Sequence, residues 1–185
     1  SEGNALSLGT GDDTVNLTGL PTITGIMNGR EGTNTLNFRL TGGTLETVNG
    51  AIRIGKDVQV RKDVETVNGS IFTDRGTTIG GNVDTVNGAI GLVGTQLAGG
   101  IETVNGDITV GIGSHVKGGI KVEKPRGWSM KPRRDPRIII GPNAVVEGPL
   151  VFERPVTLYV HTSARIGAVT GATAKPFSTD TAPTE

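Results

Sequence analysis

Four copies of one octapeptide recur through the middle of the chain. They read Leu45-Glu46-Thr47-Val48-Asn49-Gly50-Ala51-Ile52, Val64-Glu65-Thr66-Val67-Asn68-Gly69-Ser70-Ile71, Val83-Asp84-Thr85-Val86-Asn87-Gly88-Ala89-Ile90 and Ile101-Glu102-Thr103-Val104-Asn105-Gly106-Asp107-Ile108. Their starts lie 19, 19 and 18 residues apart. Helical repeats are longer, at about 33 residues or more. Asn-Gly in mid-unit also opposes a helix, because both residues favour turns. The pattern therefore predicts an all-β fold, a single-stranded parallel β-helix with three short strands in each coil of about 19 residues.

Alternation along each strand would aim every second side chain inward. Ile108, Val110 and Val116 should face the core of one coil, with Ile138, Ile140 and Val146 in the equivalent places of the next. Equivalent strands stacked about 4.8 Å apart form parallel sheets, so six to eight coils make a rod roughly 30–40 Å long. Parallel crossovers favour a right-handed β-helix. The hexapeptide-like stretch Ile140-Gly141-Pro142-Asn143-Ala144-Val145-Val146 is compatible with a left-handed one. At the corners Asn49-Gly50, Asn68-Gly69, Asn87-Gly88 and Asn105-Gly106, both residue types tolerate the left-handed backbone region. Stacked Asn amides can also hydrogen-bond from coil to coil.

The spacing outlasts the Asn-Gly signature. Ile120 begins a fifth unit, Leu150 a sixth and Val169 a partial one. The interval of 30 residues between Ile120 and Leu150 is one coil plus an 11-residue insertion. Because Ile138-Ile139-Ile140-Gly141 matches Ile108-Thr109-Val110-Gly111, the insertion falls between Val122 and Ile138. Three segments follow: residues 1–44 as an amino-terminal cap and first irregular coils, residues 45–169 as the solenoid with a basic loop at 124–137, and residues 170–185 as a cap remnant and a tail expected to be flexible beyond Phe177.

Composition agrees with many short strands. Only 34% of the 185 residues are hydrophobic, six are aromatic and thirty are glycine. The chain has 18 cationic and 18 acidic residues, so no global field recruits nucleic acid or an anionic membrane. No cysteine is present, which excludes disulfides and thiolate metal sites. That absence fits a bacterial extracellular or periplasmic scaffold. No apolar run spans a bilayer, and the sequence from Ser1 shows no signal-peptide pattern.

Three features are candidates for specific chemistry. Leu8-Gly9-Thr10-Gly11-Asp12-Asp13-Thr14-Val15-Asn16 is similar to the calcium-binding nonapeptide of RTX proteins, with Leu8 in place of the first glycine. That resemblance implies calcium at Asp12 and Asp13, although the adjacent tandem copies of such sites are missing. The segment also resembles β-helical passenger domains of autotransporters. The abrupt change of repeat style near Thr44 is compatible with an engineered chimera. Second, the loop carries Lys124, Arg126, Trp128, Lys131, Arg133 and Arg134, cations around the only tryptophan, a composition suited to an anionic polymer. The alternative is a loop folded on the solenoid flank, with Trp128 covering apolar surface and its arginines paired to the acidic column of Glu46, Glu65, Asp84 and Glu102. Third, Glu46, Glu65, Asp84 and Glu102 form a stacked acidic column whose repulsion calcium could relieve.

Conventional catalytic patterns are lacking. His115 and His161 stand at unrelated coil positions, and a neighbouring Ser114 or Ser163 makes no triad without an orienting carboxylate. Phosphate loops and dinucleotide fingerprints are absent. At Ile138-Ile139-Ile140-Gly141-Pro142-Asn143-Ala144-Val145-Val146-Glu147-Gly148 the pattern resembles bactofilins, polymer-forming bacterial cytoskeletal β-helices. The Val-Asn-Gly units are similar to exported bacterial solenoid proteins. These resemblances cover about residues 45–170 and imply a non-enzymatic scaffold that self-associates through its coil ends; a carbohydrate-active β-helix enzyme using the acidic column is the further alternative.

Overall fold

Three parallel sheets run the length of the molecule, two of nine strands and one of eight. The structure, a computed structural model, describes residues 43–125 and 134–183 in full, and the backbone of six strands before residue 43. Each coil contributes one strand to each sheet. Val64–Asn68 lies in the first sheet, Ile71–Thr73 in the second and Thr78–Ile79 in the third. No helix interrupts the series among the described residues. The chain is an all-β parallel solenoid of three strands per coil.

Register follows the repeat residue by residue. Val64 pairs with Leu45 and Val83, Glu65 with Glu46 and Asp84, and Asn68 with Asn49 and Asn87. Across the insertion, Ile108 pairs with Ile138 and Ile120 with Leu150, so the 11 extra residues leave both neighbouring sheets in step. The shorter interval before Ile101 is absorbed at one corner. Leu92 still pairs with Thr73 and Gln96 with Thr78, one fewer residue separating them.

The core consists of stacked columns of aliphatic side chains. Ile108, Val110, Val116, Ile138, Ile140 and Val146 are all essentially inaccessible to solvent. Burial of such side chains at about 25 cal/mol per Å² supplies the main driving force. One inward column is polar. Thr47, Thr66, Thr85 and Thr103 are buried at the third position of each octapeptide. Thr85 Oγ1 donates to Gly69 O at 3.1 Å, and Thr103 Oγ1 accepts from Gly106 N at 3.0 Å. The hydroxyls thus satisfy backbone groups that the corner takes out of the ladder.

The Asn-Gly corner works differently from the turn chemistry expected of it. Asn49, Asn68 and Asn87 end first-sheet strands, and none of the four asparagines has a positive φ. Of the four glycines only Gly50 and Gly88 have one. The column is glycine because backbones nearly touch. A Cβ on Gly69 would sit 1.6 Å from Gly50 O, and one on Gly106 would sit 1.8 Å from Gly88 O. Left-handed residues gather at another corner, between the second and third sheets: Asp57, Gly76, Gly94, Gly113 and Asn143, with φ from 51° to 79°.

Candidate functional site

Stacking turns each outward position into a column, and the first sheet displays three. The asparagines form a continuous amide chain. Asn68 Nδ2 donates to Asn49 Oδ1, Asn87 to Asn68 and Asn105 to Asn87, each at 2.9 Å. The final acceptor, Asn105 Oδ1, receives Arg154 Nη1 at 2.8 Å. Arg154 stands four residues after Leu150, as Asn105 stands four after Ile101, so it occupies the column position two coils on. It is nearly buried, donates also to Val104 O at 3.0 Å, and reaches Arg134 O at 3.5 Å. Arg154 fills the gap left where the insertion departs from the stack.

Removal of that side chain leaves the backbone carbonyl of Val104 and the side-chain oxygen of Asn105 without this donor. Arg154→Met is expected to lower stability by about 2 kcal/mol, in the range for hydrogen bonds to a charged group. Chemical denaturation would measure it, and a loss below about 0.5 kcal/mol, the level of an ordinary surface change, would remove Arg154 from this role.

Beside the amides lie the acidic column and a column of exposed valines, Val48, Val67 and Val86. Val67 and Val86 line, with Glu46, Glu65, Asp84 and Glu102, a shallow groove of about 380 Å³. The carboxylates are half-buried. Desolvation, then the charges of Glu102, Glu65 and Asp63, push Asp84 up to about 7. Burial and neighbouring acids also raise Glu65. Glu102 is raised by burial and by its hydrogen bond to Glu123, against the opposing charge of Lys121. Lys121 is the counter-ion of the column, 2.6 Å from Glu123, 3.7 Å from Glu153 and 3.8 Å from Glu102. Among the described residues no three acidic or histidine side chains converge to hold a metal ion.

The basic loop is tied down at both feet. Lys124 N donates to Glu153 Oε2 at 3.2 Å. Arg134 makes a two-pronged pair with Asp107, at 2.9 and 2.5 Å, and Arg137 N donates to the same carboxylate at 2.9 Å. The arginine partner is therefore a corner aspartate, and the expected pairing of Arg134 with the acidic column does not occur in these contacts. Arg126, Trp128, Lys131 and Arg133 lie outside the described residues, as do Asp12 and Asp13 with their implied calcium. Of the loop cations singled out in the sequence, Lys124 and Arg134 are the described ones, each held at one foot of the loop.

The histidines are separated. His115 Nε2 meets Glu147 Oε1 at 2.5 Å on the third sheet. His161 Nδ1 meets Ser163 Oγ at 2.8 Å at the end of a second-sheet strand, and Ser163 Oγ accepts from Asn143 N at 3.0 Å. No helix among the described residues is long and apolar enough to cross a membrane.

Sequence reasoning missed two elements here. The threonine column was legible as an invariant third letter of the octapeptide, but threonine among β-branched residues reads simply as a strand former. Arg154 was legible only by counting four residues from Leu150 across the insertion. No family model, no curated protein and no solved structure matches the chain.

Proposed function

We propose that the chain is a non-enzymatic structural rod that joins further copies of itself through its carboxyl-terminal coil. What carries this reading is the partial exposure of the core at the last described coil. Ile166, Val169, Ala172 and Ala174 are only partly buried, whereas Val146, Leu150 and Leu158, one coil below, are inaccessible. Among the described residues after Phe177, Pro183 lies on the flank, where its carbonyl accepts from Arg137 Nη2. An apolar coil end with unpaired strand edges is a surface for another solenoid end. The resemblance to bactofilins at Ile138–Gly148 agrees with this reading.

The joint is restrained by Pro176. Thr162 N donates to Phe177 O, so Phe177 faces the preceding coil and its neighbour Pro176 faces the free edge. Proline offers no N–H there, and the second sheet cannot extend with a full ladder. Joining then relies on core contact and on the edges of the other two sheets.

Light scattering across a concentration series tests this. Apparent mass should rise with concentration, fall to that of the monomer in Val169→Lys, and rise more steeply in Pro176→Thr. Monomer behaviour of the parent chain at every concentration would overturn the proposal.

A further inference from the structure

The outer face of the second sheet carries a pair of cations without counter-ions. Tyr159 projects outward between Leu158 and Val160 by strand alternation, yet it is only 6% exposed. Its strand lies between the strands of Arg137 and Lys175. The Arg137 guanidinium lies 5.1 Å from the ring centroid and the Lys175 ammonium 5.6 Å from it. Two strand spacings separate the cations' strands, about 10 Å along the solenoid axis.

These cations differ from the others nearby. Lys121 is surrounded by three glutamates, Arg134 grips Asp107, and Arg154 caps the amide chain. Neither Arg137 nor Lys175 has an ion-pair partner among the described residues. Arg137 Nε is buried and, among the described residues, has no hydrogen-bond acceptor. Nη2 is met by a neutral backbone carbonyl, that of Pro183. Nε and Nη2 form one edge of the guanidinium, the edge that a planar carboxylate engages with two parallel hydrogen bonds. One prong of that edge is occupied by a weak substitute, and the other is empty.

A planar carboxylate fits that edge. A second cation two strands away suits a ligand with repeated charges. We propose that Arg137 and Lys175, set around Tyr159, bind a linear polycarboxylate lying along the solenoid axis, and that the carboxyl-terminal segment 178–183 covers this site when the ligand is absent. The basis is independent of the coil-end joint. Acidic glycans and acidic peptides share the required chemistry.

Tyr159 is the only tyrosine in the chain, so a fluorotyrosine label gives one fluorine resonance, located at the site. Oligogalacturonate, oligoglutamate and a neutral galactose oligomer are titrated into the full chain at constant ionic strength. A saturable shift with at least one acidic oligomer and none with the neutral one is expected, and the responding oligomer distinguishes glycan from peptide. Arg137→Gln should weaken the response by about 10-fold or more, the equivalent of a lost charge-assisted hydrogen bond, and Lys175→Gln should weaken it in the same direction. Deletion of residues 178–185 should tighten binding, because a competing segment is removed. No saturable shift in either the full or the tail-deleted chain overturns the proposal. So does an equal response to the neutral oligomer, or a response that Arg137→Gln leaves unchanged in a variant with a normal melting profile.

Discussion

Gly69→Ala should destabilise the solenoid by at least about 3 kcal/mol, beyond the usual range for an added methyl group. The added Cβ would lie 1.6 Å from Gly50 O, 2.5 Å from Gly50 C and 3.0 Å from Thr66 Oγ1. Two of these are backbone atoms of the coil below, which cannot rotate away. The coils must separate locally, and the hydrogen bond from Gly50 N to Asn68 O stretches with them. Gly113→Ala is the control. Gly113 has a φ of 66°, but nothing lies within 4 Å of its Cβ position. That change carries only the left-handed penalty of about 1–2 kcal/mol. Thermal unfolding separates the two: Gly69→Ala should lower the midpoint by roughly 6–12 °C, at 2–4 °C per kcal/mol for a chain of this size. If both variants lose the same small amount, close backbone stacking is not what requires glycine at the Val-Asn-Gly corner.

Asp84→Asn should stabilise the chain at pH 8 and have little effect at pH 4. The folded protein holds Asp84 at about 7, raised from its ordinary 3.8 by desolvation and by Glu102, Glu65 and Asp63. A carboxyl with a raised folded pKa favours folding while it is protonated. Its contribution is complete below the unfolded value near 4 and is lost as the pH rises through about 7. A shift of that size corresponds to an upper bound of about 4 kcal/mol. Because Asp84 remains partly exposed, solvent screening reduces the expected effect to about 2 kcal/mol. Glu65 and Glu102 shift in the same direction and add to the trend. Denaturant titrations at pH 4, 6 and 8 should show the parent chain most stable at the lowest of these values, with a flatter profile in Asp84→Asn. A parent chain whose stability rises between pH 4 and 8 would show that the column is fully solvated.

These two residues mark how much of the molecule the sequence made legible. The octapeptide placed Val64, Glu65, Thr66, Val67, Asn68 and Gly69 in correct register, because a period-2 strand and a 19-residue coil leave one arrangement that buries the column of Leu45, Val64, Val83 and Ile101. The same periodicity located the insertion between Val122 and Ile138. It could not tell why Gly69 is glycine. Turn preference and backbone contact predict the same letter, and only the distance to Gly50 separates them. It also treated Glu46, Glu65, Asp84 and Glu102 as equivalent. Glu65, like Asp84, has acidic neighbours on both sides, so Asp84 differs by its shorter stem, which leaves its carboxylate more desolvated.

The candidate sites were legible only in part. A cluster of cations beside Trp128 drew attention to the loop as a unit. The structure shows that Arg134 belongs to its anchoring foot, held by Asp107. Arg137, the last cation of the same run, sits in a second-sheet strand against Tyr159. Its partner Lys175 lies 38 residues further on and is brought near by two coil returns, a proximity that no local motif records.

Small-angle X-ray scattering over a concentration series most directly tests the rod that joins through its ends. End-to-end joining predicts a cross-sectional radius that stays constant while the maximum dimension grows with concentration, and a constant maximum dimension in Val169→Lys. A cross-section that grows with concentration would place the contact on the flanks, and a maximum dimension that never changes would leave the chain a solitary rod.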